Sequence, residues 1–252
     1  VLFADIRGFT TMSEGYKDKP EELTVLLNDL LTPLTHEIMD QKGTIDKYMG
    51  DAIMAFWNAP VDVPNHPRIA CEVAIAMMIA LEVLNKELMS HERISQPLKI
   101  GIGLNTGEVT VGNLGSEQRF DYSCLGDAIN LGARLEGLSK AYGVPIVIGE
   151  ATYDVLDRPP IGAEIVLLDH VIVKGKSIAV AIYGIIPKQG FSTGWCADHN
   201  KFMHHVAEDN WDEAGSLLEI LKNRDDYPVE LLEQSSYRVQ QKSSAVRTMQ
   251  TK

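Results

Sequence analysis

Asp5 and Asp51 are the two residues of this chain whose surroundings suit metal chemistry. Asp5 falls near the end of the apolar run VLFADI and is followed by RGFTT, a turn into a helix. Asp51 lies in GTIDKYMGDAIMAFW, which reads as two strands joined at Met49-Gly50-Asp51. Brought together on adjacent central strands, the two carboxylates would bind divalent metal, because Mg²⁺ takes one or two carboxylates and leaves its other positions to phosphate and water. Two such ions about 3.5–4 Å apart stabilise both the attacking and the leaving oxygen of a nucleotidyl transfer. The backbone amides of Gly8, Phe9 and Thr10, at the helix start, suit the terminal phosphates. Spacing alone leaves a plainer reading equally open, in which Asp5 caps a helix and Asp51 is a turn residue.

The elements that must position these residues are legible as alternating patterns. Residues 20–41 carry Leu23, Leu26, Leu27, Leu30, Leu34 and Ile38 at helical spacing, with Pro20 in the first turn and Gly43 beyond the end. Residues 67–88 form a second long helix, entered through the proline-bearing loop APVDVPNHP. LKIGIGLNTGEVTVGNLG gives two strands around Asn105-Thr106-Gly107, FDYSCLG another, and AINLGARLEGLSKAYG a helix. PIVIG is a buried strand, ATYDVL a short helix, and the segment from Glu164 a hairpin turning at Gly175-Lys176. This order predicts an α+β domain of ferredoxin-like βαββαβ type with extra terminal strands, over residues 1–187. Residues 188–240 are expected to be a linker and a small helical hairpin hinged near Asp209-Asn210, tetratricopeptide-like around Trp211. Residues 241–252, polar and aperiodic, are expected to be disordered.

Composition narrows the partners. A net charge of -12 over 252 residues excludes general nucleic-acid binding, which rests on clustered Lys and Arg. Cys71, Cys124 and Cys196 are far apart without metal-ligand spacing, so neither a disulfide framework nor a zinc site is expected, and a cytoplasmic setting is. No stretch approaches the roughly 18–20 apolar residues of a membrane span, so this segment is not expected to insert in a bilayer. Because the chain starts inside a strand, an upstream sensor or membrane module is expected.

FADIRGFT, DKYMGDAIMAFW, NTGEVTVGNLGS, FDYSCLGDAINLGARLE and VKGK occur in that order over about residues 1–187. Together they resemble the motif series of the class III adenylate and guanylate cyclases. The resemblance implies that Asp5 and Asp51, assisted by the Ile6 carbonyl, hold two divalent ions, Mg²⁺ or Mn²⁺. It implies that Lys47 contacts adenine, since guanylate-specific members carry an acidic residue there; as a bare residue, Lys47 is equally an exposed strand lysine. The second base-contacting position falls on Ser123, where many adenylate cyclases have Asp and guanylate cyclases Cys. A hydroxyl both donates and accepts, so Ser123 by itself tolerates adenine without enforcing it. Ser at this position is similar to a bacterial-type subgroup, some of whose members respond to bicarbonate.

Asn130 and Arg134 share one helix face at a spacing of four. In the family this pair serves the transition state, Asn orienting the ribose and Arg holding the α-phosphate with its planar fork. Lys174 matches the phosphate-contacting lysine, with Lys176 its close rival. The family's metal aspartates face the Asn–Arg pair of another chain, so the resemblance implies a homodimer that cyclises ATP to 3′,5′-cyclic AMP and pyrophosphate in shared sites. A guanylate cyclase and an inactive nucleotide-binding regulatory module are the alternatives.

Overall fold

The computed structural model describes residues 1–172, 179–244 and 247–248. The first strand, β1 (Leu2–Ile6), leads into the short helix α1 (Phe9–Glu14) and the long helix α2 (Pro20–Asp40). The hairpin β2 (Thr44–Met49) and β3 (Ala52–Phe56) precedes α3 (His66–Ser90) and β4 (Ile100–Leu104). Then come β5 (Thr110–Ser116), β6 (Arg119–Leu125), α4 (Asp127–Ala141), β7 (Ile146–Gly149) and α5 (Glu150–Tyr153). The long strands β8 (Ala163–Ile172) and β9 (Ala179–Pro187) close the part predicted to be one domain. Lys174, Lys176 and the turn expected at Gly175-Lys176 lie outside the described residues.

The main sheet has the order β10-β8-β9-β7-β4-β1-β3-β2, where β10 is Arg247–Thr248. β1 is central, antiparallel to β3 on one side and to β4 on the other. The two strands expected around Asn105-Thr106-Gly107 both form, but they do not pair with each other: β4 stays in the main sheet and β5 leaves it to form a separate ribbon with β6. Alternation explains the two faces of the main sheet. Leu2, Ala4, Ile6, Ile53, Ala55, Ile100, Ile102 and Leu104 form one core with Leu26, Leu30, Leu34 and Ile38 of α2 and Cys71, Ala74 and Met77 of α3. Phe3, Met54 and Phe56 point the other way, into a smaller cluster with Cys124. Asp5 has the parity of Phe3 and so leaves the α2–α3 core.

Helix α4 lies against that second face, and two glycines let it approach. A Cβ on Gly103 would stand 2.1 Å from the Glu136 backbone nitrogen, and one on Gly101 would stand 2.2 Å from Ser139 Oγ. At Gly103 the clash is with helix backbone, so no larger residue fits without moving α4; at Gly101 the Ser139 and Glu136 side chains would have to turn away.

The tail is packed, not hung. The expected hairpin is α6 (Cys196–Ala207) and α7 (Trp211–Lys222), and a third helix, α8 (Val229–Gln241), extends it. Phe202, Met203, Leu218 and Leu231 share a core with Val166, Leu168, Val147 and Leu135 of the sheet and α4. Where no order was expected, Arg247 and Thr248 pair in parallel with Val171 and Ile172. Asp169, fully buried in β8, accepts hydrogen bonds from Tyr142 (2.7 Å) and from the Arg238 guanidinium of α8. Removing one partner of a buried ion pair strands the other charge, so Arg238→Ala is expected to cost about 3–5 kcal/mol in urea unfolding. Among the described residues no helix is long and apolar enough to cross a membrane.

Candidate active site

Asp5 is half-buried and lies directly opposite Gly101, over which the Ser139 and Glu136 side chains of α4 pack. Gly50, at φ +68°, makes the left-handed step in the β2–β3 turn that any L side chain resists, and Asp51 follows it. The two carboxyls meet. Burial, a hydrogen bond to Asp51 and the Asp51 charge push Asp5 up to about 6. Two like charges in contact ionise together only at a cost, so Asp5 keeps its proton to a higher pH than an isolated carboxylate would.

A third carboxyl approaches from α4. Burial and the charges of Asp5 and Asp51 push Glu136 up to about 7, against the pull of Arg7. Glu136 and Arg7 were missed in the sequence. Arg7 donates from Nη2 to the Val144 carbonyl at 2.6 Å, tying the end of β1 to the segment that enters β7. Such a gathering of carboxyls fits a divalent cation, which would favour their ionised forms. Among the described residues no group of three His, Cys, Asp or Glu is arranged to hold an ion. The aspartate pair therefore suits Mg²⁺ or Mn²⁺ bound jointly with substrate phosphates and water, not a closed protein cage.

The other expected residues lie on β1, α1, β2, β6 and α4. Ile6 is buried at the end of β1, opposite Ile100. Gly8, at φ +75°, caps α1, and no side chain bonds to the first-turn amides of Phe9 and Thr10. Those amides are open to water or an anion.

Lys47 and Ser123 come from different sheets and are joined by a residue the sequence did not single out. The β2–β3 ladder shifts register between Ile45 and Lys47, so Asp46 is the extra residue of a β-bulge. Its fully buried carboxylate accepts a hydrogen bond from Ser123 Oγ at 2.6 Å and one from the Cys124 backbone nitrogen at 3.3 Å. The Lys47 ammonium sits 3.1 Å from the other carboxylate oxygen.

On α4, Asn130 is exposed and Arg134 half-buried, one turn apart. A cleft of about 860 Å³ lies between Trp57, His66, Thr106 and Leu125, and another of about 430 Å³ lies between Arg7, Lys99 and Phe191. Neither is lined by Asp5, Asp51, Lys47, Ser123, Asn130 or Arg134.

Comparison with known proteins places this arrangement. Residues 1–186 match the family profile described as adenylate and guanylate cyclase catalytic domain. An adenylate cyclase of Anabaena cylindrica is 38% identical over 187 residues, which are 73% of this chain and 36% of that protein. Adenylate cyclase 1 of Rhizobium meliloti is 33% identical, over 73% of this chain and 27% of its own length. The chain thus spans about a third of these relatives. Among solved structures, the adenylyl cyclase CyaB from P. aeruginosa superposes with a TM-score of 0.64 at 34% identity, covering 75% of this chain and 93% of that one. A guanylyl cyclase is nearly as similar, with a TM-score of 0.63 at 33% identity over 76% of this chain and 93% of that one. On sequence and structure alike, the chain belongs to the adenylate and guanylate cyclase catalytic domain family.

Proposed function

We propose that this domain is an adenylate cyclase that converts ATP to 3′,5′-cyclic AMP and pyrophosphate in sites shared between two copies. The observation that carries the reading is the Asp5–Asp51 pair on a cyclase-family sheet, in which burial and the neighbouring Asp51 carboxyl raise the proton affinity of Asp5. Held by Asp5, Asp51 and the Ile6 carbonyl, two divalent ions would make the ribose 3′-hydroxyl more acidic and neutralise the phosphates.

The chain's own residues do the positioning. Lys47 and Ser123 hold the base, and the amides of Gly8, Phe9 and Thr10 receive the outer phosphates. Asn130 and Arg134 of the second copy orient the ribose and hold the α-phosphate, with Lys174 on the phosphates. The 3′-oxygen attacks the α-phosphorus as its proton passes to solvent, and the bond to pyrophosphate breaks. No covalent enzyme intermediate is needed, so catalysis is positioning and electrostatics.

A second copy related by a twofold axis would supply the other half of each site. The guanylyl cyclase neighbour at 33% identity favours guanylate cyclase as the second reading. Lys47 weighs against it, standing where the guanylate-specific pattern has an acid. Chelation with EDTA is expected to abolish pyrophosphate release from ATP, and added Mn²⁺ to restore it. Release that persists in EDTA would overturn the two-metal reading.

A further inference from the structure

We infer that Asp46 is the positioning residue that sets base preference, by taking the one proton of the Ser123 hydroxyl and leaving Ser123 able only to accept. The inference rests on the adenylate cyclase reading and extends it. A free serine hydroxyl has one donor and two acceptor sites and rotates to suit its partner. Ser123 is not free: it is 5% exposed, and its Oγ donates to Asp46 at 2.6 Å. Every contact of the Asp46 carboxylate described above is with a donor: the Ser123 hydroxyl, the Cys124 amide and the Lys47 ammonium. Hydrogen bonds to an ionised acceptor are about twice as strong as neutral ones, so the serine proton stays committed.

The bulge makes this possible. In an unbroken ladder strict alternation would put residues 45 and 47 on one face and residue 46 on the other. Here Ile45 pairs with Ala55 and Lys47 with the adjacent Met54, which leaves Asp46 unpaired and turned toward β6. The same carboxylate thereby places both base-contacting side chains.

The polarity that results is specific. Lys47 offers only a donor and Ser123 only an acceptor. The six-membered edge of adenine offers the complement, a ring nitrogen that accepts and an exocyclic amine that donates. A 6-oxo purine reverses both groups, presenting a ring N–H and a carbonyl. Burying groups that cannot pair is costly, so the site discriminates against it.

The test compares kcat/KM for ATP and for inosine triphosphate, with Mn²⁺, in the full chain. Asp46→Asn can turn its amide N–H toward Ser123 and return the proton to the hydroxyl, so the ATP preference is expected to fall about tenfold, with the loss on ATP and little on inosine triphosphate. Ser123→Ala should show a similar fall. The double variant should fall no further than Ser123→Ala alone, because the first residue acts through the second. An unchanged ratio in Asp46→Asn, or additive losses in the double variant, overturns the inference. Should Asp46→Asn fail to fold, Ser123→Ala decides: an equal loss on both nucleotides overturns it, and a loss confined to ATP supports it. A wild-type chain that cyclises neither nucleotide sinks the parent reading and this one with it. That result is distinct from an active wild type whose preference ignores Asp46.

Discussion

Mixing an Asp51→Ala chain with an Arg134→Ala chain, each inactive alone, is expected to restore about a quarter of wild-type activity, because random exchange makes half the dimers mixed and one site in each is intact. Asp5 and Asp51 lie close to Glu136 of the same copy, and neither cleft near the sheet is lined by them or by Asn130 and Arg134. Asn130 and Arg134 stand at the start and middle of α4, with Asn130 turned to solvent. Twofold symmetry lets one sequence bring both halves to each site. The check is a rate assay across mixing ratios, with recovery greatest at equal amounts. Flat, inactive mixtures would show that each chain must supply all four residues to its own site.

Asp5→Asn is expected to reduce cyclisation by about a thousandfold, equivalent to roughly 4 kcal/mol of lost charge stabilisation, while making the metal-free protein more stable. The sign follows from the proton balance. Asp5 is raised from 3.8 to about 6 in the fold, so the folded state holds more protons than the unfolded state between those values. Stability therefore falls as pH rises through that window and stays lower above it. Asparagine keeps the shape and removes the charge. At about pH 7 the metal-free variant should melt a few degrees above wild type, a modest gain because the group is half exposed and screened. Mn²⁺ should raise the melting temperature of wild type and leave the variant nearly unmoved. Thermal melts with and without Mn²⁺, beside a rate assay, check both halves. A variant that keeps its activity would remove Asp5 from the metal site.

The parts legible in the sequence are those set by local pattern. Leucines at helical spacing located α2 and its buried face, whereas the strand end and hairpin tip left the meeting of Asp5 and Asp51 even with a plainer reading until the ordered motifs were added. What escaped depends on partners distant in the chain. The bulge at Asp46 exists only against β3, and its hydrogen bond to Ser123 spans 77 positions. Glu136 reaches the aspartates because Gly101 and Gly103 let α4 settle onto β4, and that consequence of GIG is visible only once strand and helix are stacked. A carboxylate inside a strand was the available signal for Asp46 and Asp169. Helix α8 escaped because VELLEQSSYRVQQ is mostly polar. Its place is held by Leu231 and by the pairing of Arg238 with Asp169, 69 residues away.

The central claim is tested most directly by incubating the purified chain with equal ATP and GTP in Mn²⁺ and identifying the products by mass and chromatography. The account predicts 3′,5′-cyclic AMP with one pyrophosphate per turnover and far less cyclic GMP. Cyclic GMP as the main product, a linear nucleotide, or no turnover at all would contradict it.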